Sequence, residues 1–288
     1  FGNKGSVDLK QGMGDTENSK RYHPTSIPMI MGHIAVIGGW VRDIVHGEPS
    51  GVVRAYDVRT GDVVWAWDVG QPENITDPEK ARAYTLETPN VWTVPGFDKE
   101  LNLVYLPTGN GPPDYWGGDR NEAKEKYGSS VVAVDASTGK TKWVFQTVHH
   151  DIWDYDLPSQ PVLFHMKNEK GEEIPVLIQT TKTGQIYVLD RRTGKPVTKV
   201  EEIPVPHQGA EGERLSTTQP FSTGMPQLGV DPLTEKSMWG VTPFDQLICR
   251  IDFKESTYLG MFTPPSEKPY IEWPSLLGGM NWGGITID

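Results

Sequence analysis

The 288-residue chain has a single cysteine, Cys249. An intramolecular disulfide is therefore excluded, as is any CxxC or cysteine-rich metal site. No run of 18 apolar residues occurs, so no segment reads as a membrane-spanning helix. The opening Phe1-Gly-Asn-Lys4 has neither the charged nor the apolar region of a signal peptide. No GxGxxG follows a strand to open a helix, and no Walker lysine motif is present. Both absences count against NAD, FAD and ATP. Positive charge is scarce: 27 Lys and Arg against 38 Asp and Glu give a formal net charge of −11. An acidic surface repels phosphate backbones and anionic lipid heads, which counts against nucleic-acid binding. His149 and His150 have no third His or Cys at ligand spacing, which counts against zinc.

What the chain does have is glycine, proline and tryptophan: 31, 24 and 10 residues. Frequent corners with large flat anchors point to an all-β architecture, and 36% hydrophobic residues are enough for a core. One pattern occurs three times. Val52-Val-Arg-Ala-Tyr-Asp57 runs into Thr60-Gly61 and Trp65, and Val131-Val-Ala-Val-Asp135 into Thr138-Gly139 and Trp143. Ile186-Tyr-Val-Leu-Asp190 runs into Thr193-Gly194, with Thr198 where the Trp would stand. Each reads as strand, Asp-x-x-Thr-Gly turn, strand. A second pattern alternates with it. Pro95-Gly-Phe-Asp98 leads to the strand Asn102–Leu106, and Leu228-Gly-Val-Asp231 leads to an expected strand over Met238-Trp-Gly-Val241. Gly284-Ile-Thr-Ile-Asp288 reads as the start of a further copy, cut before its turn. Glu122–Tyr127 is the best candidate for a short helix. Cys249 lies in the apolar run Leu247–Ile251 and is expected to be buried. Repeated hairpins at irregular spacing predict propeller blades with long loops. The chain is expected to be one partial β-propeller domain, residues 1–288, truncated at both ends.

The Asp-x-x-Thr-Gly-x-x-x-Trp repeat resembles that of pyrroloquinoline-quinone (PQQ) dehydrogenases. Further segments resemble the membrane-bound quinoprotein glucose dehydrogenases. They include Gly38-Gly-Trp-Val-Arg-Asp43, Glu48-Pro-Ser-Gly51, Pro113-Asp-Tyr-Trp-Gly-Gly118, Val148-His-His-Asp-Ile-Trp-Asp154 and Thr263-Pro-Pro-Ser266. The resemblance runs the length of the chain. It implies an eight-bladed propeller with the quinone near its axis, where Trp residues such as Trp65 and Trp143 dock neighbouring blades.

Sugar oxidation needs a base that takes a hydroxyl proton while hydride leaves carbon, and a carboxylate beside a metal can serve. Asp151, Asp154 and Asp156 are all candidates by composition. The resemblance implies that Asp154 is the base and also a metal ligand, with Asp43 and Asn110 completing the protein's share of the shell. Oxygen ligands imply a hard cation, magnesium or calcium. Lys182 in Thr180-Thr-Lys-Thr-Gly184 is placed by resemblance at the quinone oxygens, where a cation assists reduction. Trp92 is the implied stacking platform for the planar quinone. The segment Gly279-Met-Asn-Trp-Gly-Gly284 resembles a second cofactor-facing stretch, through Asn281 and Trp282. The implied activity is oxidation of an aldose, D-glucose to the lactone, with electrons passed to ubiquinone. The implied location is the periplasmic side of the inner membrane, with the anchor outside this sequence. Two alternatives remain: a PQQ-dependent alcohol or polyol dehydrogenase, and a non-catalytic propeller scaffold, which needs the repeats but no residues at the axis.

Overall fold

A computed structural model describes residues 1–14, 16, 21–75, 84–167, 170–229 and 231–287. The chain is nearly all β, and all its strand pairs are antiparallel. The first large sheet orders its strands β2 (Met29–Met31), β3 (Ile34–Ile37), β5 (Val53–Asp57), β6 (Val63–Asp68) and β7 (Gln71–Ile75). The second orders β8 (Gly96–Asp98), β9 (Leu103–Pro107), β10 (Ser130–Asp135) and β11 (Thr141–Gln146). The third holds β12 (Val162–Lys167), β13 (Glu173–Thr180) and β14 (Ile186–Asp190). Two short pairs flank them: β1 (Tyr22–His23) with β4 (Trp40–Val41), and β15 (Glu201–Pro204) with β16 (Thr218–Phe221). Meandering antiparallel sheets in series are propeller blades, and among the described residues no sheet closes on another.

The middle blade explains why its strands read as continuous apolar runs. Successive side chains of a strand point to opposite faces. Val104, Leu106, Val132 and Val134 pack with Val36, Val53, Trp65 and Trp67 of the first blade. Their neighbours Leu103, Tyr105, Val131 and Ala133 pack with Leu177, Tyr187 and Leu189 of the third. Both faces are covered, so no polar alternation survives.

The repeat turns do what their residues dictate. Gly61, Gly139 and Gly194 take φ of +85°, +70° and +70°, and their N–H groups donate to the carbonyls of Asp57, Asp135 and Asp190 at 2.8, 2.7 and 2.8 Å. Glycine reaches this left-handed region at no steric cost. The tryptophans then link blade to blade. Trp65 Nε1 donates to Ala136 O (2.9 Å), one residue past Asp135 in the next turn. Trp143 Nε1 donates to Arg191 O (3.0 Å), one residue past Asp190. A Cβ at Gly194 would lie 2.5 Å from the Trp143 ring, so this glycine also gives the docking ring its seat.

Four local expectations are corrected. The strand expected after the third turn is reduced to a single bridge, Leu189 with Pro196, because proline has no N–H to extend a ladder. Met238–Val241 forms no strand, and the apolar run around Cys249 is not buried. Residues Pro243–Glu255 form a helix, α2, on which Leu247, Ile248 and Ile251 are exposed and Cys249 is half-buried. The local chemistry favours this. Pro243 opens the helix, Thr242 Oγ1 accepts from Asp245 N (3.2 Å), and Asp245 Oδ2 accepts from Thr242 N (3.0 Å), a reciprocal cap. Finally, residues 284–287 form no strand, and Asp288, with Val230 of the second pattern, lies outside the described residues. The short helix α1 (Glu122–Tyr127) forms as expected, capped by Asn121, whose side chain accepts from Lys124 N (3.0 Å).

Candidate active site

Loops at one end of the blades bring together residues far apart in sequence. Thr25, Trp40, Asp43, Trp92, Asp154, Asp156, Lys182, Leu276, Leu277, Asn281 and Trp282 line one cleft of about 250 Å³. Asp43 follows β4, Trp92 precedes β8, Asp154 and Asp156 lie between β11 and β12, and Lys182 lies between β13 and β14. Asn281 and Trp282 arrive on the C-terminal segment. That segment is tied down by Gly279 N, which donates to Lys182 O (2.7 Å). Gly278, at φ +74°, makes the approach possible, since a Cβ there would lie 2.5 Å from Lys182 Cα.

Among the described residues, Lys182 is the only cation lining this cleft. Its Nζ lies 2.6 Å from Asp156 Oδ1 and 3.1 Å from Asp154 Oδ1, and it donates to Asp154 O at 2.8 Å. Burial works to lower its pKa, but Asp156 and Asp154 outweigh it and hold the ammonium charged above its ordinary range. Asp156 is buried and engaged on both oxygens, since Trp92 Nε1 donates to Oδ2 at 2.6 Å. It pins two cleft residues in place. Asp154 is freer: among the described residues its side chain pairs with Lys182, and it adopts φ +56°, a left-handed conformation that is costly for a non-glycine residue. Burial, then the Asp156 charge, pushes its pKa up to about 9.

Two more carboxylates complete an acidic cluster. Asp43 is raised to about 6 by burial and the Asp156 charge. Asp114 is raised to about 11 by burial and the charges of Asp43, Asp154 and Asp156. Asp114 N donates to Asp43 O (3.0 Å), while Asn90 Nδ2 donates to Asp43 Oδ2 (3.3 Å). Asp114 and Asn90 were not singled out in the sequence. Asp114 stands in Pro113-Asp-Tyr-Trp and Asn90 two residues before Trp92, so proximity to better-known residues was the available signal.

The sequence candidates therefore divide. Asp43, Trp92, Asp154, Lys182, Asn281 and Trp282 share the cleft. Asn110 does not reach it. Its Oδ1 accepts from Gly111 N (2.7 Å), its Nδ2 donates to Asp114 O (3.2 Å), and it supports Asp114 from beneath. His149 and His150 lie away from the cleft. His150 is clamped between Glu125 (2.9 Å) and Glu213 (2.6 Å).

The donor set fits a hard cation in chemical kind. Asp154 and Asp156 face the Lys182 ammonium, with Asp43 and Asp114 close enough for their charges to interact, Asp154 and Asp114 hold protons near neutrality, and among the described residues Asp114 Oδ1 and Asn90 Oδ1 are buried without a hydrogen-bond partner. Among the described residues, no three acidic, His or Cys side chains already close round one point. A planar guest also has a platform. Trp92 meets Trp282 edge-on, centroids 4.6 Å apart at 67°, and Lys182 Nζ stands 5.8 Å from the Trp92 ring centre. Trp282 is 54% exposed and covers the largely buried Trp92 ring from the solvent side.

Blades tied by repeat tryptophans, with an acidic, aromatic-floored cleft at one end, define a propeller of the quinoprotein type. The chain belongs to the PQQ family of glucose/ethanol/alcohol dehydrogenase β-propeller domains, which it matches over residues 1–288. It is 46% identical to a quinate/shikimate dehydrogenase (quinone) of Acinetobacter baylyi, over all of this chain and 36% of that one. It is 46% identical to a glycerol dehydrogenase large subunit of Gluconobacter oxydans, over all of this chain and 39% of the relative. It is 45% identical to quinoprotein glucose dehydrogenase A of Acinetobacter calcoaceticus, over all of this chain and 36% of the relative. Its fold matches a quinohemoprotein alcohol dehydrogenase of Pseudomonas putida HK5 with a TM-score of 0.57 and 25% identity, covering 92% of this chain and 35% of that one. The chain thus spans little more than a third of the length of these relatives.

Proposed function

We propose that the chain forms the catalytic cleft of a PQQ-dependent dehydrogenase that oxidises an aldose, D-glucose to its lactone, and passes electrons to ubiquinone. The observation that carries this reading is the meeting of Asp43, Trp92, Asp154, Lys182, Asn281 and Trp282 in one cleft. A scaffold propeller needs the blade-docking tryptophans and has no use for a buried lysine among carboxylates. When bound, the quinone supplies the hydride acceptor, and magnesium or calcium supplies Lewis acidity. Asp43 and Asp154 are the direct metal ligands, and Asn110 acts through Asp114. Asp154 takes the substrate hydroxyl proton. Burial and the Asp156 charge favour the protonated form of Asp154, and a dication held beside it would favour the carboxylate that can serve as base. Lys182 presents a fixed positive charge over Trp92, where it would stabilise negative charge on a bound quinone. Trp92 gives the flat face on which a flat guest stacks, and Asn281 and Trp282 close it from the other side. The site faces the periplasm, with membrane attachment through a part of the protein outside this sequence. No helix among the described residues is long and apolar enough to cross a membrane.

A second reading has its own support. The chain is as similar to the glycerol and quinate/shikimate dehydrogenases as to the glucose enzyme. On that reading the base and metal are kept and the substrate is a polyol. The test is dye reduction by the intact protein, freed of cofactor and reloaded with PQQ and magnesium or calcium, on glucose, glycerol, quinate and ethanol. Strong preference for glucose supports the first reading, and preference for glycerol or quinate replaces it with the second. No quinone binding with either ion rejects both. Asp154→Asn in the same protein should lose nearly all turnover and keep the quinone; near-normal turnover would remove Asp154 as the base.

A further inference from the structure

The loops that carry Asp114 and Asp154 meet at one buried cation outside the cleft. Arg120 is 5% exposed. Its guanidinium donates to Pro113 O (2.6 Å) and Asp114 O (3.2 Å) on one loop, and to Asp151 O on the other. It grips backbone rather than side chains. The stem is fitted as closely as the head: a Cβ at Gly111 or Gly117 would stand 3.5 or 3.3 Å from Arg120 Cδ. The Asp151 side chain continues the chain of contacts, because its Oδ1 accepts from Trp153 N (2.9 Å) and its Oδ2 from Ser129 Oγ (2.5 Å). One residue further is Asp154, in its left-handed conformation at φ +56°. On the other side, Asp114 N is bonded to Asp43 O. One guanidinium therefore couples the Asp43–Asp114 pair to the loop that carries Asp154.

We propose that Arg120 is a positioning residue that sets the spacing between the Asp43–Asp114 pair and Asp154, and through it the affinity of the cleft for a divalent cation. The inference rests on the metal reading given under Proposed function. Only a planar fork of several N–H donors meets three carbonyls on two loops at once. A lysine ammonium in the same place keeps the charge and most of the stem but not the span.

The test uses the intact, cofactor-free protein and its Arg120→Lys and Arg120→Gln variants. Calorimetric titration with magnesium and with calcium reads ion affinity. Amide hydrogen exchange reads residues 148–157 against β9 and β10. Removing an outer-shell partner of a metal ligand typically weakens ion binding about 10- to 100-fold. Both variants should show a loss of that order, with Lys failing to rescue. Exchange should quicken in 148–157 and stay unchanged in β9 and β10. Ion affinity within twofold of wild type, or equal loosening of the strands, would overturn the proposal. A wild type that binds neither ion would instead sink the metal reading, and the exchange comparison would then decide whether Arg120 holds the loop. Arg120→Lys preserves charge and bulk, so it keeps the test open if Arg120→Gln fails to fold.

Discussion

His150 offers the sharpest test of how the loop bearing Asp154 is anchored. Both ring nitrogens face carboxylates, Nδ1 to Glu125 Oε1 at 2.9 Å and Nε2 to Glu213 Oε1 at 2.6 Å, and the ring is nearly buried. Only the imidazolium donates from both nitrogens. Burial and the nearby Arg120 charge disfavour that form, but the two glutamates outweigh them and raise the His150 pKa. Glu213 is correspondingly lowered to about 2, burial opposing and the His150 bond and the Gly117 and Arg214 amides favouring the anion. The signs differ. The raised His150 stabilises fully below the unfolded value of about 6.5, and its contribution is lost as pH rises through the folded value. The depressed Glu213 stabilises above its unfolded value of about 4.5, and its contribution is lost as pH falls toward about 2. Both act fully between about pH 4.5 and 6.5. Hydrogen bonds to charged groups are worth about 1.5–3 kcal/mol each, offset here by burial of the charges. His150→Gln keeps one donor and no charge, so it should cost about 2 kcal/mol at pH 5.5–6 and clearly less at pH 8.5. Urea unfolding of wild type and variant across pH 4–9 measures this. Parallel curves, with a constant difference at every pH, would refute the imidazolium clasp.

Other expectations follow from the same contacts. Trp65→Phe deletes a fully buried bond and leaves Ala136 O unpaired, so it should cost about 2–3 kcal/mol; Trp143→Phe, at a half-buried ring, should cost about 1 kcal/mol by denaturant unfolding. Trp92→Ala should weaken quinone binding more than it harms folding, read by fluorescence titration alongside a melting curve; an unchanged dissociation constant would show that Trp92 is not the platform. Lys182→Gln should slow quinone reduction at least 100-fold in single-turnover absorbance measurements, with a smaller change in quinone affinity.

Most of the fold was legible because its sequence rules are local. An Asp-x-x-Thr-Gly turn demands a left-handed glycine, and Gly61, Gly139 and Gly194 supply one. The docking role of the tryptophans could be inferred from repetition alone, since a residue placed identically after each turn meets the same neighbour in each blade. The failures have equally local causes. Leu247–Ile251 reads as a buried run when only its apolar content is considered, yet the reciprocal cap of Thr242 and Asp245, with Pro243 between them, starts a surface helix there. The third hairpin fails at Pro196, where a missing N–H outweighs a well-formed turn.

The site was legible to a different depth. Residues that enter the cleft sit in segments whose resemblance to a family is strong, so Asp43, Trp92, Asp154 and Lys182 could be picked out one by one. What no single segment reveals is the balance among them. Asp156 looks like a rival to Asp154 in sequence, two places away and chemically identical. The fold separates them: Asp156 is locked by Trp92 and Lys182, whereas Asp154 faces the cleft with one cation and a raised pKa. Asn110, Asp114 and Arg120 form a supporting layer that acts through backbone carbonyls, and such contacts leave no pattern in a sequence because any residue can supply a carbonyl. A group that binds only backbone is invisible until the chain is folded. In this cleft, such groups are what hold mutually repelling carboxylates within reach of one another.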